Sequence, residues 1–223
     1  MGSLHPPLAW TVGLSLAISL FPWGKYAVYP FRLFTTWVHE CCHAIAALGL
    51  GGQVTRITLS PDTSGLTFYR IPKGRLRQAV VASSGYLGSA LAGCLIYAGT
   101  LHWPAAGRER MIASSLGVLM WLSAFLWVRG LFGLLTVGAG GAALIALGQS
   151  PSIGSSARYL IPFLGVQTAL QCLFDLRTLF ELDPDAHSDA RTLQALFWLP
   201  SGFWAMIWIG LSLFMMGWTI RWT

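Results

Sequence analysis

The stretch Phe31-Arg32-Leu33-Phe34-Thr35-Thr36-Trp37-Val38-His39-Glu40-Cys41-Cys42-His43-Ala44-Ile45-Ala46-Ala47-Leu48-Gly49-Leu50 decides how the rest of the chain is read. A bilayer core of about 30 Å is crossed by about 20 helical residues, and this segment is apolar apart from a few positions. Those exceptions include His39, Glu40 and His43 around its middle. Each ionisable group held in a membrane helix costs a few kcal/mol, so three together call for a function.

The composition agrees with a membrane helix. Hydrophobic residues make up 55% of the 223 residues and charged residues only 10%, against about 25% charged in ordinary soluble domains. The mean hydropathy is +0.61. Fourteen Lys+Arg and eight Asp+Glu cannot coat a water-facing surface of this size. A soluble enzyme, a disordered chain and a nucleic-acid binder are excluded, and the chain reads as one integral membrane domain over 1–223.

Apolar runs predict spans near 8–23, 31–50, 79–101, 111–127, 130–148, 157–180 and 196–219. Residues 111–148 are too long for one crossing, and Arg129-Gly130 is the one interruption, so two helices with a tight turn are expected there. The N-terminus has neither the basic start nor the small-residue cleavage site of a removable signal, so 8–23 is expected to be a retained span. Arg56, Arg70, Lys73, Arg75 and Arg77 crowd the region after the second span. Basic loops stay cytoplasmic, which places the N-terminus inside and, with seven spans, the C-terminus outside; Arg221 dissents.

Gly51 to Leu59 and Leu66 to Tyr69 are rich in β-branched and aromatic residues around Pro61-Asp62-Thr63-Ser64-Gly65, which predicts a hairpin. Extended backbone cannot face lipid, so the hairpin sits at the interface or against protein. The expected fold is an all-α polytopic membrane protein of about six to seven transmembrane helices, with a small interfacial β-hairpin after the second. Cys41, Cys42, Cys94 and Cys172 all lie in apolar segments and form no extracellular disulfide framework.

His39-Glu40-Cys41-Cys42-His43 is His-Glu-x-x-His. Four residues apart on a helix, the two imidazoles share a face and can hold one ion, while Glu40, about 100° around, can reach a water on that ion. Zinc with Glu40 as general base fits this set. A third ligand is required. Asp175, in Leu173-Phe174-Asp175-Leu176, is the one further acid inside an apolar span, and five-odd residues from the end of its helix it matches His43 in depth. Asp189, in His187-Ser188-Asp189-Ala190, is the rival; its plainer role is to cap the last helix. The cost of an intramembrane carboxylate favours Asp175. Cys42 lies 60° from His39 and could approach the metal, but reads better as a small packing residue.

In order, His39-Glu40-Cys41-Cys42-His43-Ala44, Gly51-Gly52, Gly65-Leu66-Thr67, Ser84-Gly85-Tyr86-Leu87-Gly88-Ser89, Gly165-Val166 before Asp175, and Ser188-Asp189-Ala190 before Phe197-Trp198 resemble the site-2-protease-like intramembrane zinc metallopeptidases. The likeness is to a compact branch without a PDZ domain, found in bacteria and plants. It implies cleavage of a peptide bond in or beside a substrate's transmembrane segment, in a bacterial inner membrane or an organellar or cell membrane. It leaves room for a regulatory membrane partner. The chain departs from the family where the third ligand usually sits in an Asn-Pro…Leu-Asp-Gly context: Gln167 to Asp175 has no proline, and Leu176 follows the Asp.

Two other classes compete. A metal-binding scaffold without proteolysis would be expected to have lost Glu40 or a histidine, and all three are present. An ion-coupled transporter would show inverted repeats, and none is evident. Five histidines are too few for a di-iron desaturase, no Gly-x-Ser-Gly supports a rhomboid-type protease, and a presenilin-type protease needs two intramembrane aspartates.

Overall fold

The computed structural model describes residues 12–15, 17–18, 23–102, 107–178 and 188–222. Most of the expected span at 8–23, the end of the one at 157–180, and His187 lie outside these residues. The described helices are α1 (Gly24–Ala27), α2 (Tyr29–Gly49), α3 (Arg75–His102), α4 (Arg108–Leu126), α5 (Leu131–Gln149), α6 (Ala157–Thr178), α7 (Asp189–Phe197) and α8 (Ser201–Trp222). Strands β1 (Gln53–Leu59) and β2 (Gly65–Arg70) lie between α2 and α3. Helices α3, α4, α5, α6 with the 3-10 turn before it, and α8 are long and apolar enough to cross a bilayer. Helix α2 has 21 residues; Arg32, His39, Glu40 and His43 lower its hydropathy. The chain is an integral, multi-pass, predominantly helical membrane protein.

The break expected at Arg129-Gly130 is present. Helix α4 ends at Leu126 and α5 begins at Leu131. Gly130 has φ of 90°, a conformation that a residue with a Cβ adopts only under strain. Arg129 donates to the carbonyls of Leu126 (3.1 Å) and Val128 (2.8 Å), so the freed end of α4 is not left bare.

The last span starts later than expected. Residues 196–219 do not form one helix, because Pro200 has no N–H to continue α7 and restricts the residue before it. Helix α7 closes at Phe197, Trp198 is left-handed, and α8 starts at Ser201, whose N–H donates to Gln194 Oε1 at 2.9 Å.

The hairpin pairs antiparallel from Gln53↔Arg70 to Leu59↔Gly65, with a bulge at Val54/Arg56. In its turn, Asp62 Oδ1 accepts from the Ser64 hydroxyl (2.7 Å) and N–H (3.0 Å), and these bonds hold its carboxyl below the usual range. The hairpin is packed against α2. It folds back along the helix: Thr67 meets Glu40, Thr36 donates to the Thr63 carbonyl (2.7 Å), and Tyr29 donates to the Pro61 carbonyl (2.7 Å). Tyr29 to Gly49 spans about 30 Å of helix, so the hairpin tip reaches the level of the helix's first turn. Of the two placements expected, this is the one against protein. Its β1 edge is paired too: Ile57 N–H donates to the Trp127 carbonyl (2.8 Å), and Arg129 N–H to the Ile57 carbonyl (2.9 Å).

Two apolar clusters organise the interior. Phe34, Trp37, Ile57, Met120, Val137 and Ile161 join α2, the hairpin and α4 to α6. Ala82, Cys172, Leu193 and Trp208 join α3, α6, α7 and α8. Helices α2 and α6 run in the same direction, with Phe31 edge-on to Phe163 near their starts at 4.9 Å. Chemistry sits where the clusters meet, on α2 and at the start of α7.

Candidate metal centre

The i, i+4 spacing on α2 brings His39 Nε2 and His43 Nε2 to 3.0 Å. The third group is Asp189, whose Oδ2 is 3.2 Å from each of those nitrogens. The three side chains are largely sheltered, with exposures of 19% for His39, 8% for His43 and 23% for Asp189. Among the described residues this is the one group of His, Cys, Asp and Glu arranged to hold a metal.

Asp189 reaches the site because its neighbour takes the capping duty. Ser188 is the N-cap of α7, its hydroxyl accepting from Arg191 N–H at 3.4 Å. The carboxylate one position on is thereby left to turn toward α2. Burial alone would raise its pKa; hydrogen bonds from His39 and His43 outweigh that and hold it below the usual carboxylate range.

The structure brings Asp189, and not Asp175, to the histidines. Asp175 was expected on depth and on the cost of its burial. Its carboxylate instead accepts from Gln171 Nε2 at 2.8 Å, one turn back on α6. A local amide partner offsets part of the cost of burying that carboxylate.

The arrangement fits zinc. Ligand bonds of about 2.0–2.1 Å place the corners of a tetrahedron about 3.3–3.4 Å apart, close to the 3.0, 3.2 and 3.2 Å observed. His43 Nδ1 lies 2.7 Å from the Val81 carbonyl. With Nδ1–H donated there, Nε2, which faces His39 and Asp189, is the nitrogen that would give up its proton to hold a cation among the three. Two nitrogens and one carboxylate oxygen are a common catalytic zinc set, with a fourth position left open.

Glycines make room for it. A Cβ on Gly85 of α3 would lie 2.6 Å from His43 Nε2 and also against the His39 ring. Gly88, one turn on, faces Cys42, whose Sγ a Cβ there would meet at 2.5 Å. Cys42 is thus a packing residue against α3 and not a ligand. Gly93 then crosses α6 at Gly165 and Ala169, so glycines let the helices pack closely around the site.

Glu40 is buried, with 5% exposure. The Thr67 hydroxyl of β2 lies 2.7 Å from Glu40 Oε2 and 2.9 Å from the Glu40 backbone carbonyl. Gly65 leaves space on the other side, since a Cβ there would sit 2.8 Å from Glu40 Oε1. Residues 65, 67 and 69 share the strand face turned to α2. Tyr69 follows on that face, and burial first, then the charges of Asp189 and Glu40, raise its pKa and keep its hydroxyl a donor. Sequence reasoning met Thr67 only as part of the family likeness, with no role, and did not single out Tyr69 or the Val81 carbonyl. The alternation Gly65-x-Thr67-x-Tyr69 was the available signal, but nothing in it revealed that the hairpin lies along α2.

No curated protein and no solved structure matches the chain. A family model does, over residues 12–219, and its description is Peptidase M50B-like. The match takes in every element that builds the cluster, from α2 with His39, Glu40 and His43 to α7 with Asp189, and the chain belongs to the Peptidase M50B-like family of membrane metallopeptidases.

Proposed function

We propose that this chain is an intramembrane zinc endopeptidase that cuts a peptide bond in or near a substrate's transmembrane segment. The observation that supports it most is the convergence of His39, His43 and Asp189 within 3.2 Å of one another beside buried Glu40. These three side chains would hold the ion, and Asp189 takes the place first given to Asp175. Bound zinc supplies polarisation of the scissile carbonyl and acidification of a water.

Glu40 is the general base. Thr67 holds one carboxylate oxygen, and the space at Gly65 leaves the other open to accept the water's proton. The same oxygen returns that proton to the leaving amine. A helical substrate has its carbonyls tied into its own ladder and must unwind before any of them can react. Strand β1 is engaged at Ile57 by Trp127 and Arg129, whereas β2 has no second strand partner among the described residues. An unwound substrate segment adds along that edge of β2, where its backbone passes close to Glu40.

Metal analysis of detergent-purified protein tests the site. About one zinc per chain is expected in wild type and in Asp175→Asn, and loss of zinc in Asp189→Asn. Zinc lost from Asp175→Asn but kept in Asp189→Asn would return Asp175 to the ligand set. No bound zinc under chelator-free conditions would remove the hydrolase reading. Glu40→Gln should keep its zinc and lose about 100- to 10,000-fold in cleavage of a transmembrane reporter substrate; full cleavage would disprove the base assignment.

A further inference from the structure

The two histidines are steadied in different ways. His43 has its second ring nitrogen 2.7 Å from the Val81 carbonyl, a hydrogen bond that fixes both tautomer and ring plane. His39 turns Nε2 to the cluster, and among the described residues its Nδ1 makes no hydrogen bond. A metal-binding imidazole without such an anchor can swing about its side-chain torsions, which displaces the donor atom. Something else must hold the ring.

What touches it is aromatic. The Tyr86 ring stands at 83° to the His39 ring with centroids 4.7 Å apart, an edge-to-face contact. Tyr86 is itself stacked on Trp208 of α8, at 5.2 Å and 25°. Trp208 is 1% exposed and is among the largest fully buried side chains. Tyr86 follows Gly85 directly on α3. One residue opens the space in which the donor atoms meet, and the next closes on the flank of His39.

We propose that Tyr86 is a positioning residue that sets the ring of His39, with Trp208 as its backing, so that aromatic packing does for His39 what a backbone carbonyl does for His43. The proposal rests on the zinc centre described above. It assigns the work to the Tyr86 ring and not to its hydroxyl. It also ties α8, which supplies no ligand, to the donor geometry through two successive ring contacts.

The test is the visible spectrum of the Co²⁺-substituted protein in detergent, which reports ligand geometry directly, together with competitive zinc affinity. Tyr86→Phe should keep the wild-type bands and bind zinc within about twofold of wild type. Tyr86→Leu should shift the bands and weaken zinc by about 10- to 100-fold, the range for residues that orient a metal ligand. Trp208→Leu should move both readouts in the same direction by less. Thermal unfolding of the metal-free proteins checks that each variant is folded, and Tyr86→Met replaces Tyr86→Leu if the latter is not. An unchanged spectrum and affinity in the folded Tyr86→Leu or Tyr86→Met protein would overturn the proposal. So would a Tyr86→Phe protein as impaired as the leucine variant, because the hydroxyl would then carry the effect. Wild-type protein that takes up neither cobalt nor zinc would overturn the metal centre itself, a result read before any variant is compared.

Discussion

At Gly85 an absent side chain governs the site. A methyl group there would press on the two imidazole rings where their Nε2 atoms converge. Gly85→Ala should therefore lose bound zinc while the helix itself, which gains a better helix former, stays folded; zinc content and circular dichroism of the purified variant check both halves. The histidine pair was legible because helical spacing alone puts residues four apart on one face. The carboxylate that joins them in the cluster was not. Burial cost pointed to Asp175, but a carboxylate can be satisfied by a neighbour such as Gln171 as well as by a metal, and sequence does not show which. Asp189 looked like a cap, and Ser188 beside it turned out to be the cap.

The hairpin is the element that turns a metal site toward peptide chemistry. It brings Thr67 to Glu40 and leaves space at Gly65. Thr67→Val keeps the shape and removes the hydroxyl, so zinc content should hold while turnover falls by about 10-fold or more, with little change in KM. Tyr69→Phe should likewise lower turnover, by up to about 100-fold, if its hydroxyl steadies charge on the carbonyl oxygen during cleavage; cleavage assays at matched zinc content measure both. Strand character was readable from the β-branched residues and the turn chemistry of Pro61 to Gly65. Placement was not, because its main contacts are between distant parts of the chain: Tyr29 with Pro61, Thr36 with Thr63, Ile57 with Trp127 and Arg129. The split between α4 and α5 was readable, since its length and its single Arg-Gly interruption sufficed.

Across the whole molecule, the order of crossings fixes which ends share a membrane face. Helices α3, α4 and α5 separate α2 from α6, so α2 and α6 run in the same direction, as the Phe31–Phe163 contact independently shows. Lys73, in the α2–α3 connection, and Ser152, in the α5–α6 connection, are both exposed and fall on opposite faces. Lys73→Cys and Ser152→Cys should react with a membrane-impermeant maleimide from opposite sides of sealed vesicles. Labelling of both from one side would mean that the 111–148 region crosses once. Composition made the membrane class plain. The boundary of the last span was misread because hydropathy alone does not register the stop that Pro200 imposes on α7.

Ile57 is joined to Trp127 and Arg129 through peptide groups alone. No side-chain exchange at those positions removes the donors or the acceptors, with one exception: proline, which has no N–H to give. The floor beneath Glu40 is therefore moored by atoms that every ordinary residue carries. The lipid-facing surfaces of α4 and α5 can drift in sequence, to suit one membrane or another, without loosening the mooring. Adaptation to a new bilayer and preservation of Glu40's setting become separate matters, one decided by side chains on the helices and the other by peptide groups in the connection between them.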